Sequence, residues 1–274
     1  MPEGPEVEFA ARLLRERAVG RTVEAVAVTR GAGRLLRPLG PAAFSRALAG
    51  ARVEGVARRG KHLLVTAAIG AARLGLLSHL GMTGKWIGRA AGGAPPAHLR
   101  ASLRLDDGTA LDYVDPRGFG RLRIVAGARF DEVAALAALG PDALAAPIDV
   151  ARLAARLART RRSIKVALLD QRLLAGLGNI HAGEALWRAR LDPRRRADRL
   201  GSPEVAALAR GVTAAVRFAL GRLRGPGIRY VEEGGENPFR VYGRAGAPCP
   251  RCGEAIRRIV QGGRSTFLCR RCQG

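Results

Sequence analysis

Four cysteines near the end of the chain constrain its fold more than any other feature. The last 26 residues contain Cys249-x-x-Cys252, sixteen intervening residues and then Cys269-x-x-Cys272, and no cysteine occurs elsewhere. Two such pairs at this separation are typical of a tetrahedral zinc site with four thiolates. Two disulfides are the alternative, which the absence of a secretory segment disfavours. The pattern predicts a structural zinc ribbon or zinc hairpin, since zinc binding supplies folding energy that so short a tail lacks.

The segment between the two cysteine pairs predicts a β-hairpin. Short β-branched runs flank the pair Gly262-Gly263, and glycines supply the positive φ values of a tight turn. Arg264 would then lie at the hairpin tip, in a tail with many arginines and few acids. An arginine displayed in this way favours insertion into a nucleic-acid groove. A solvated surface arginine is the alternative.

The charge of the chain also favours a nucleic-acid partner. Its 274 residues include 47 basic and 23 acidic side chains, which give a formal net charge of +24. A polyanionic partner follows from this excess. An anionic membrane surface is disfavoured, because no apolar run is long enough to span a bilayer and no lipidation signal is present. Lysines are rare, and each of Lys61, Lys85 and Lys165 is therefore informative.

Apolar spacing separates a β-rich first part of the chain from a helical second part. Up to about residue 130, one helix beginning near Pro5 precedes short apolar runs between glycine-rich turns, which favours a sandwich or barrel. Helical spacing follows, most clearly over 202–224. We therefore expect an α+β multidomain fold. Its expected parts are a first domain at 1–130, a helical domain at 131–224, a loop at 225–240 and a zinc unit at 241–274.

The start of the chain offers a reactive amine. A proline at position 2 permits removal of Met1, which would leave Pro2 as a free secondary amine beside Glu3 and Glu6. An α-amino group is about a tenth to a fifth neutral at pH 7, whereas an ordinary lysine is less than about a thousandth neutral. Such an amine can form a Schiff base with a sugar aldehyde carbon. The alternative is that these residues only lead into the first helix.

Six motifs occur in order along essentially the whole chain. They are Pro2-Glu3-Gly4-Pro5-Glu6-Val7-Glu8, Arg59-Gly60-Lys61-His62-Leu63-Leu64, His79-Leu80-Gly81-Met82-Thr83-Gly84, Asp115-Pro116-Arg117-Gly118-Phe119-Gly120, Leu169-Asp170-Gln171 through Gly178-Asn179-Ile180, and Val241-Tyr242-Gly243-Arg244 with the cysteines. In this order and spacing they resemble the formamidopyrimidine-DNA glycosylase and endonuclease VIII family.

The resemblance implies a fold and a reaction. The family has an N-terminal catalytic β-sandwich with a leading helix, a helix-two-turn-helix domain, a lesion-capping loop and a C-terminal zinc finger, with DNA clamped between the domains. Its members flip a damaged base out of the duplex, excise it and cleave the strand at the abasic site. We therefore expect a base-excision repair glycosylase and abasic-site lyase that contains one structural Zn²⁺. Its expected partner is double-stranded DNA that contains oxidised bases or abasic sites. We expect the protein to be a monomer and to act at the nucleoid in a bacterial cytoplasm.

The resemblance also assigns four catalytic positions. Pro2 would attack C1′ of the damaged nucleotide to give the Schiff base, and Glu3 would act as general acid and base near the sugar. Lys61 would be the proton donor associated with β-elimination. Arg264 would bind phosphate and take part in δ-elimination. For Lys61 the alternative is a surface lysine at a strand edge.

Further positions are predicted to contact DNA. Met82, Arg117 and Phe119 match the residues that fill the gap left by a flipped base. Burial in the core is the alternative for Met82 and Phe119, although their flanking glycines favour display on loops. The other matching positions, at phosphates or where the helical motif approaches DNA, are His98, Arg117, Arg159, Lys165 and Asn179. We assign no independent chemical role to His62, His79 and His181.

Several departures from the family pattern bear on the substrate. Gly4 is typical of the endonuclease VIII branch, and His181 stands where the purine-lesion branch commonly has tyrosine. Gly118 replaces a frequent arginine, and the stretch 225–239 is shorter than the lesion-capping loop of purine-lesion enzymes. The loops at Met82 and 117–119 resemble the formamidopyrimidine branch. We expect oxidised purines such as formamidopyrimidine or 8-oxoguanine as substrates. The alternatives are oxidised-pyrimidine specificity, a non-catalytic lesion-binding zinc protein, or a zinc-ribbon adaptor.

Overall fold

The computed structural model describes residues 2–145, 147–224 and 237–274, which form two compact units. The first unit contains Pro2, residues 6–137 and residues 223–224. The second contains Glu3–Pro5, residues 138–222 without residue 146, and residues 237–274. Met1 lies outside the described residues. Positions 225–236 also lie outside them, and these positions make up most of the predicted lesion-capping loop at 225–240.

Among its described residues, the first unit contains eight strands in two antiparallel four-stranded sheets. One sheet has the order β1-β6-β7-β5, and the other has the order β2-β3-β4-β8. The strands are β1 Val23–Val28, β2 Arg52–Arg59, β3 His62–Ile69, β4 Ala72–His79, β5 Lys85–Arg89, β6 Leu99–Leu105, β7 Ala110–Val114 and β8 Arg121–Ala126, and the helices are α1 Gly4–Ala18, α2 Pro41–Leu48 and α3 Ala134–Ala137. The predicted N-terminal sandwich with a leading helix is confirmed.

The short apolar runs of the sequence, at 23–28, 53–56, 63–67, 74–77, 103–105 and 122–125, fall within six of these strands, whereas β5 and β7 coincide with none of them. Strand β7 contains Asp112, whose fully buried carboxylate interrupts the apolar run. Arg89 on β5 donates to both oxygens of Asp112 at 2.6 and 3.2 Å, and Ser102 donates to it at 2.5 Å. A buried charge is tolerated where it is paired and hydrogen-bonded in this way. The polar Asp112 therefore prevents recognition of β7, an interior strand of its sheet, from the apolar pattern of the sequence.

Helices are the main regular elements of the second unit before the cysteine-rich tail. They are α4 Val150–Leu157, α5 Ile164–Ala167, α6 Asn179–Arg188 and α7 Ser202–Arg222. The side chain of Asp149 caps α4 by accepting the N–H of Arg152 at 2.9 Å. A Cβ atom at Gly211 of α7 would lie 2.5 Å from the carbonyl oxygen of Ala185 on α6. A glycine is thus required where α6 and α7 pack together. The long helix predicted at 202–224 is present and ends two residues earlier.

The cysteine-rich tail also belongs to the second unit and contains the predicted hairpin. Strand β9 spans Arg257–Gln261, strand β10 spans Arg264–Leu268, and the short helix α8 spans Arg270–Gln273. Gly262 and Gly263 form the turn with φ values of 54° and 72°, which match the two left-handed residues of a tight hairpin turn. Arg264 directly follows this turn and is exposed. No helix in the described ranges is long and apolar enough to cross a bilayer.

Candidate active site and nucleic-acid interface

The four cysteine sulfurs converge on a single point. All four Sγ atoms lie within 4.8 Å of one another, with Cys252 and Cys269 at 3.4 Å and Cys249 and Cys272 at 4.0 Å. A tetrahedral zinc ion with Zn–S bonds of about 2.3 Å requires S–S separations of about 3.8 Å. A disulfide requires about 2.05 Å, and all four cysteines are free. These residues therefore form a site for one structural Zn²⁺.

The carboxylate of Glu3 is buried at the amino end of helix α6. Its oxygens accept backbone N–H groups of Gly178 at 2.9 Å, Ile180 at 2.8 Å and His181 at 3.1 Å. The Nδ1 atom of His181 lies 2.5 Å from Glu3 Oε2, and both side chains are 1% exposed. The backbone N–H groups of a helix start favour an anion. Glu3 is therefore fixed in one orientation, with donors that stabilise its ionised form.

A second charged group of the same unit lies within electrostatic range of Glu3. Lys165 on α5 is fully buried, and its Nζ donates to Asn179 Oδ1 at 2.5 Å. Burial lowers the pKa of Lys165 to about 8, while the Glu3 carboxylate opposes this change and the Arg264 guanidinium adds to it. Asn179 Nδ2 in turn donates to the carbonyl oxygen of Ser265 at 2.9 Å. Four predicted site residues, Glu3, Lys165, Asn179 and Arg264, thus belong to one cluster.

Lys61 lies in the first unit, in the two-residue turn between β2 and β3. Gly60 precedes it with a φ of 57°, and Arg59 pairs with His62 across the turn. The Lys61 charge contributes, after burial, to a lowered pKa of His79. Burial, followed by the neighbouring His79, lowers the pKa of His62 to about 4. Both imidazoles are therefore neutral at pH 7 beside the lysine.

The loops that contain Met82 and Phe119 pack against each other. Gly81, with a φ of 64°, leaves no space for a side chain, since its Cβ would lie 2.5 Å from the carbonyl carbon of Phe119. His79 Nδ1 accepts the N–H of Gly81 at 3.1 Å. Phe119 is 46% exposed, Met82 is half-buried, and the exposed Arg117 guanidinium lies 5.0 Å from the Phe119 ring centre. Exposure of Phe119 removes the core alternative for this residue.

Tyr113 explains why glycines flank these loops. It is fully buried, and a Cβ at Gly84 or Gly120 would lie 2.2 or 1.9 Å from its hydroxyl oxygen. Buried Asp115 connects the loops, because it accepts Thr83 Oγ1–H at 2.7 Å and the N–H of Gly120 at 2.8 Å. The glycine-rich motifs therefore fit around one tyrosine, which fixes the loops that carry Met82 and Phe119.

Two other predicted contact residues lie on exposed backbone. His98 lies between β5 and β6 with a φ of 60°, and its carbonyl oxygen accepts the N–H of Asp115 at 3.1 Å. Arg159 follows α4 in the second unit. Both residues are exposed. Pro2, the first described residue, is buried and is adjacent to Glu3 in the chain.

The sequence divides among three known domain families. Residues 1–122 match the formamidopyrimidine-DNA glycosylase N-terminal domain, 139–228 match the H2TH domain of the same enzymes, and 246–274 match the zinc finger found in FPG and IleRS. Proteins named formamidopyrimidine-DNA glycosylase from Acidiphilium cryptum and Roseiflexus are 40% and 42% identical to this chain, each over the full length of both proteins. The chain belongs to the formamidopyrimidine-DNA glycosylase family.

Solved structures of this family share the fold. The Lactococcus lactis Fpg, in a complex with DNA containing N7-benzyl-Fapy-dG, matches with a TM-score of 0.86 and 29% identity over 99% of each chain. The MutM (Fpg) protein of Thermus thermophilus matches with a TM-score of 0.82 and 37% identity, over 99% of this chain and 98% of that one. The residues that match the H2TH domain, 139–228, contain helices α4 to α7, and those that match the zinc finger, 246–274, contain β9, β10 and the four cysteines.

Sequence reasoning missed three residues that organise the site. His181 contacts the Glu3 carboxylate, and His79 supports the Met82 loop through Gly81. Glu184 is 1% exposed, and its Oε1 accepts the N–H groups of residues 240, 241 and 242. One sequence signal could have identified Glu184. It lies on the same face of α6 as the apolar Ile180, in a helix with almost no other charge, which indicates a buried carboxylate.

Proposed function

We propose that this member of the formamidopyrimidine-DNA glycosylase family excises oxidised bases from duplex DNA through a Schiff base on Pro2. It then cleaves the abasic site by β,δ-elimination, as a base-excision repair glycosylase and lyase. The observation that carries the proposal is the carboxylate of Glu3. It is adjacent to Pro2 in the chain, buried and fixed by backbone N–H donors, which suits a group that must exchange protons with one reacting centre.

The proposed first stage has balanced proton and electron transfers. The neutral Pro2 nitrogen forms a bond to C1′, while the bond from C1′ to the base breaks and its electron pair leaves with the base, which takes a proton from solvent. The nitrogen, now positively charged, gives its proton to the Glu3 carboxylate. The nitrogen lone pair then forms the C=N bond as C1′–O4′ breaks, and O4′ takes the proton from Glu3. Glu3 ends this stage as it began.

In the elimination steps the strand breaks on both sides of the sugar. Solvent takes the C2′ proton, the electron pair of that C–H bond forms the C2′=C3′ double bond, and the C3′–O bond breaks with its pair going to the phosphate; Lys61 is the associated proton donor to that leaving phosphate oxygen. Solvent then takes the C4′ proton, a C4′=C5′ double bond forms, and the C5′–O bond breaks with its pair going to the second phosphate, to which Arg264 is bound. Display of Lys61 on a two-residue turn and of Arg264 beside a glycine turn supports these roles.

We propose a DNA interface of two kinds. Phe119 and Met82 fill the space of the flipped nucleotide, and Arg117 contacts the orphaned base. His98 and Arg159 contact phosphates, while Lys165 and Asn179 lie where the helical domain approaches the lesion. The exposed aromatic ring of Phe119 and the net charge of +24 support this division. The same charge supports association with the nucleoid.

We propose formamidopyrimidine and 8-oxoguanine as the leading substrates. Relatives bearing the formamidopyrimidine name and the Met82 and Phe119 loops support purine lesions. Gly4 supports a broader range: its N–H donates to Gly176 at 2.8 Å, and a Cβ there would lie 2.6 Å from Leu144. A leucine at this position would require the Leu144 side chain to move. Incision of duplexes containing formamidopyrimidine, 8-oxoguanine, thymine glycol or dihydrouracil ranks these substrates.

Borohydride trapping on an abasic duplex tests the mechanism. The wild-type protein should give a covalent adduct, which Pro2→Gly and Glu3→Gln should lose. Glu16→Gln, a matched change of an exposed glutamate in α1, should retain it. Intact-mass measurement establishes whether Met1 is removed. Clean DNA binding without any adduct would instead indicate the non-catalytic lesion-binding alternative.

A further inference from the structure

We propose that His181 is a titratable positioning residue for Glu3, so that the rate of base excision falls on the acid side as the imidazole becomes doubly protonated. This inference rests on the proposed function of Glu3 as a proton acceptor. It assigns a role to a buried histidine for which the sequence indicates no independent chemistry.

Glu3 accepts hydrogen bonds from backbone groups, whose donor capacity is fixed, and from the imidazole of His181, whose charge can change. Backbone N–H groups of Gly178, Ile180 and His181 donate to the carboxylate at 2.8–3.1 Å, and their donor capacity does not vary with pH. The imidazole Nδ1 of His181, at 2.5 Å from Oε2, is different. An unperturbed imidazole changes charge between pH 5 and 8, unlike any backbone group.

The surroundings exclude water from the Glu3–His181 pair. Both side chains are 1% exposed, and the ring of Phe239 packs edge-on against His181 with centres 6.1 Å apart. Gln171, in the loop before α6, is neutral and bonds to backbone groups of that loop. In such a site a charge on the imidazole affects the carboxylate more strongly than it would in water.

The neighbouring charges titrate elsewhere or are already paired. Lys165 on α5 interacts with Glu3, and its pKa is lowered to about 8, above the range in which an unperturbed imidazole titrates; the Arg264 guanidinium on β10 contributes to that lowering. Glu184, further along α6, is paired with Arg188 at 2.7 Å and accepts N–H groups of the 240–242 segment. The side chain of His181, by contrast, is in direct hydrogen-bond contact with Glu3 Oε2.

The consequence for Glu3 follows from the proton count. Neutral His181 with its proton on Nδ1 orients the carboxylate and leaves it basic. The imidazolium adds a positive charge at 2.5 Å, which stabilises the carboxylate and weakens its capacity to take the proton from Pro2. Excision therefore requires His181 to be neutral as well as Pro2. Two protonations, rather than one, should suppress the rate in acid.

Single-turnover excision measured against pH tests this proposal. In the wild type the acid limb should be steeper than about tenfold per pH unit, because two groups titrate. His181→Asn keeps an N–H donor near the Nδ1 position but cannot titrate. Relative to its own alkaline plateau, this variant should show an acid limb of about tenfold per pH unit. Superimposable profiles for the two proteins would overturn the proposal.

Histidine NMR provides a readout independent of catalysis. The chain has four histidines, so the signal missing from His181→Asn identifies His181. In Glu3→Gln, the midpoint of the His181 titration should fall by about one pH unit or more, because the stabilising carboxylate is gone. An unchanged midpoint would refute the pairing. A failure of the proposed function would give a different result. In that case Pro2→Gly would excise bases normally, while the midpoint of the His181 titration would still be lower in Glu3→Gln than in the wild type.

Discussion

Substitution of Glu184 should detach the segment that leads into the zinc unit. Its Oε1 accepts the N–H groups of Arg240, Val241 and Tyr242 at 3.0, 2.8 and 3.2 Å, and its Oε2 accepts Arg188 at 2.7 Å. The glutamate is 1% exposed, so water does not replace it in the folded protein. Glu184→Ala would leave three backbone donors without an acceptor, and the Arg188 guanidinium would lose its carboxylate partner and keep only the carbonyl oxygen of residue 184 at 3.1 Å.

The expected magnitude follows from these four bonds. Hydrogen bonds to a charged group contribute about 1.5–3 kcal/mol each, but three of the bonds share one oxygen and are not additive. Removal of one member of a buried, paired charge costs about 3–5 kcal/mol. We expect Glu184→Ala to destabilise the docked segment by about 3 kcal/mol, with Glu184→Gln costing about 1 kcal/mol, because the amide retains an acceptor oxygen.

Native-state hydrogen exchange measures this loss locally. A cost of about 3 kcal/mol corresponds to roughly 150-fold faster exchange of the amides at 240–242. Glu132→Gln is the control, because Glu132 is 57% exposed in a surface ion pair with Arg129 and should change stability by less than about 0.5 kcal/mol. If exchange at 240–242 in Glu184→Ala stays within about threefold of wild type, the reasoning is wrong.

Three further predictions concern metal, pH and packing. Cys252→Ser or strong chelation should reduce strand cleavage more than borohydride trapping, which gel assays of both products can compare; equal losses would contradict a purely structural zinc. The depressed pKa of Lys165, about 8 against 10.5, means that the unfolded state binds more protons between these values. Urea unfolding should therefore show stability rising by up to about 3 kcal/mol from pH 8 to 10.5 in the wild type but not in Lys165→Met, and parallel curves would exclude this origin. Gly120→Ala should cost about 2–3 kcal/mol through its clash with Tyr113, whereas Gly33→Ala, with nothing within 4 Å, should be nearly neutral in thermal melts; similar melting changes would argue against the clash.

The elements that the sequence predicts are those whose cause is local. The turn glycines 262 and 263 adopt positive φ, and the apolar stripe of α7 is buried on one face. Strands β5 and β7 could not be predicted in this way. Their pairing depends on Arg89 reaching a buried Asp112 on a strand 23 residues further along the chain. From sequence alone, a polar residue inside a strand is predicted to be exposed, because the partner that would allow its burial is not known.

The candidate site shows the same limit at longer range. Its motif residues can be named individually, yet the contact between Glu3 and His181 spans 178 positions and leaves no periodic trace. Likewise, Glu184 binds backbone N–H groups 56 to 58 positions away, which any sequence could supply. Backbone donors have no sequence signature. The motifs therefore nominate candidate residues, whereas the network that orients them is visible only in the fold.

Helix α6 explains why zinc and Schiff-base chemistry should separate experimentally. Its amino end supplies the N–H groups that orient Glu3, and its far end supplies Trp187, which packs with Cys249 and Cys269 and lies 4.2 Å from the Arg251 guanidinium. The Glu3 donors belong to the α6 backbone, and α6 packs on α7 through a core that includes no cysteine. Loss of zinc should disrupt the hairpin that presents Arg264 and leave this core intact. The δ-elimination proposed to involve Arg264 should consequently fail first, while the orientation of Glu3 survives.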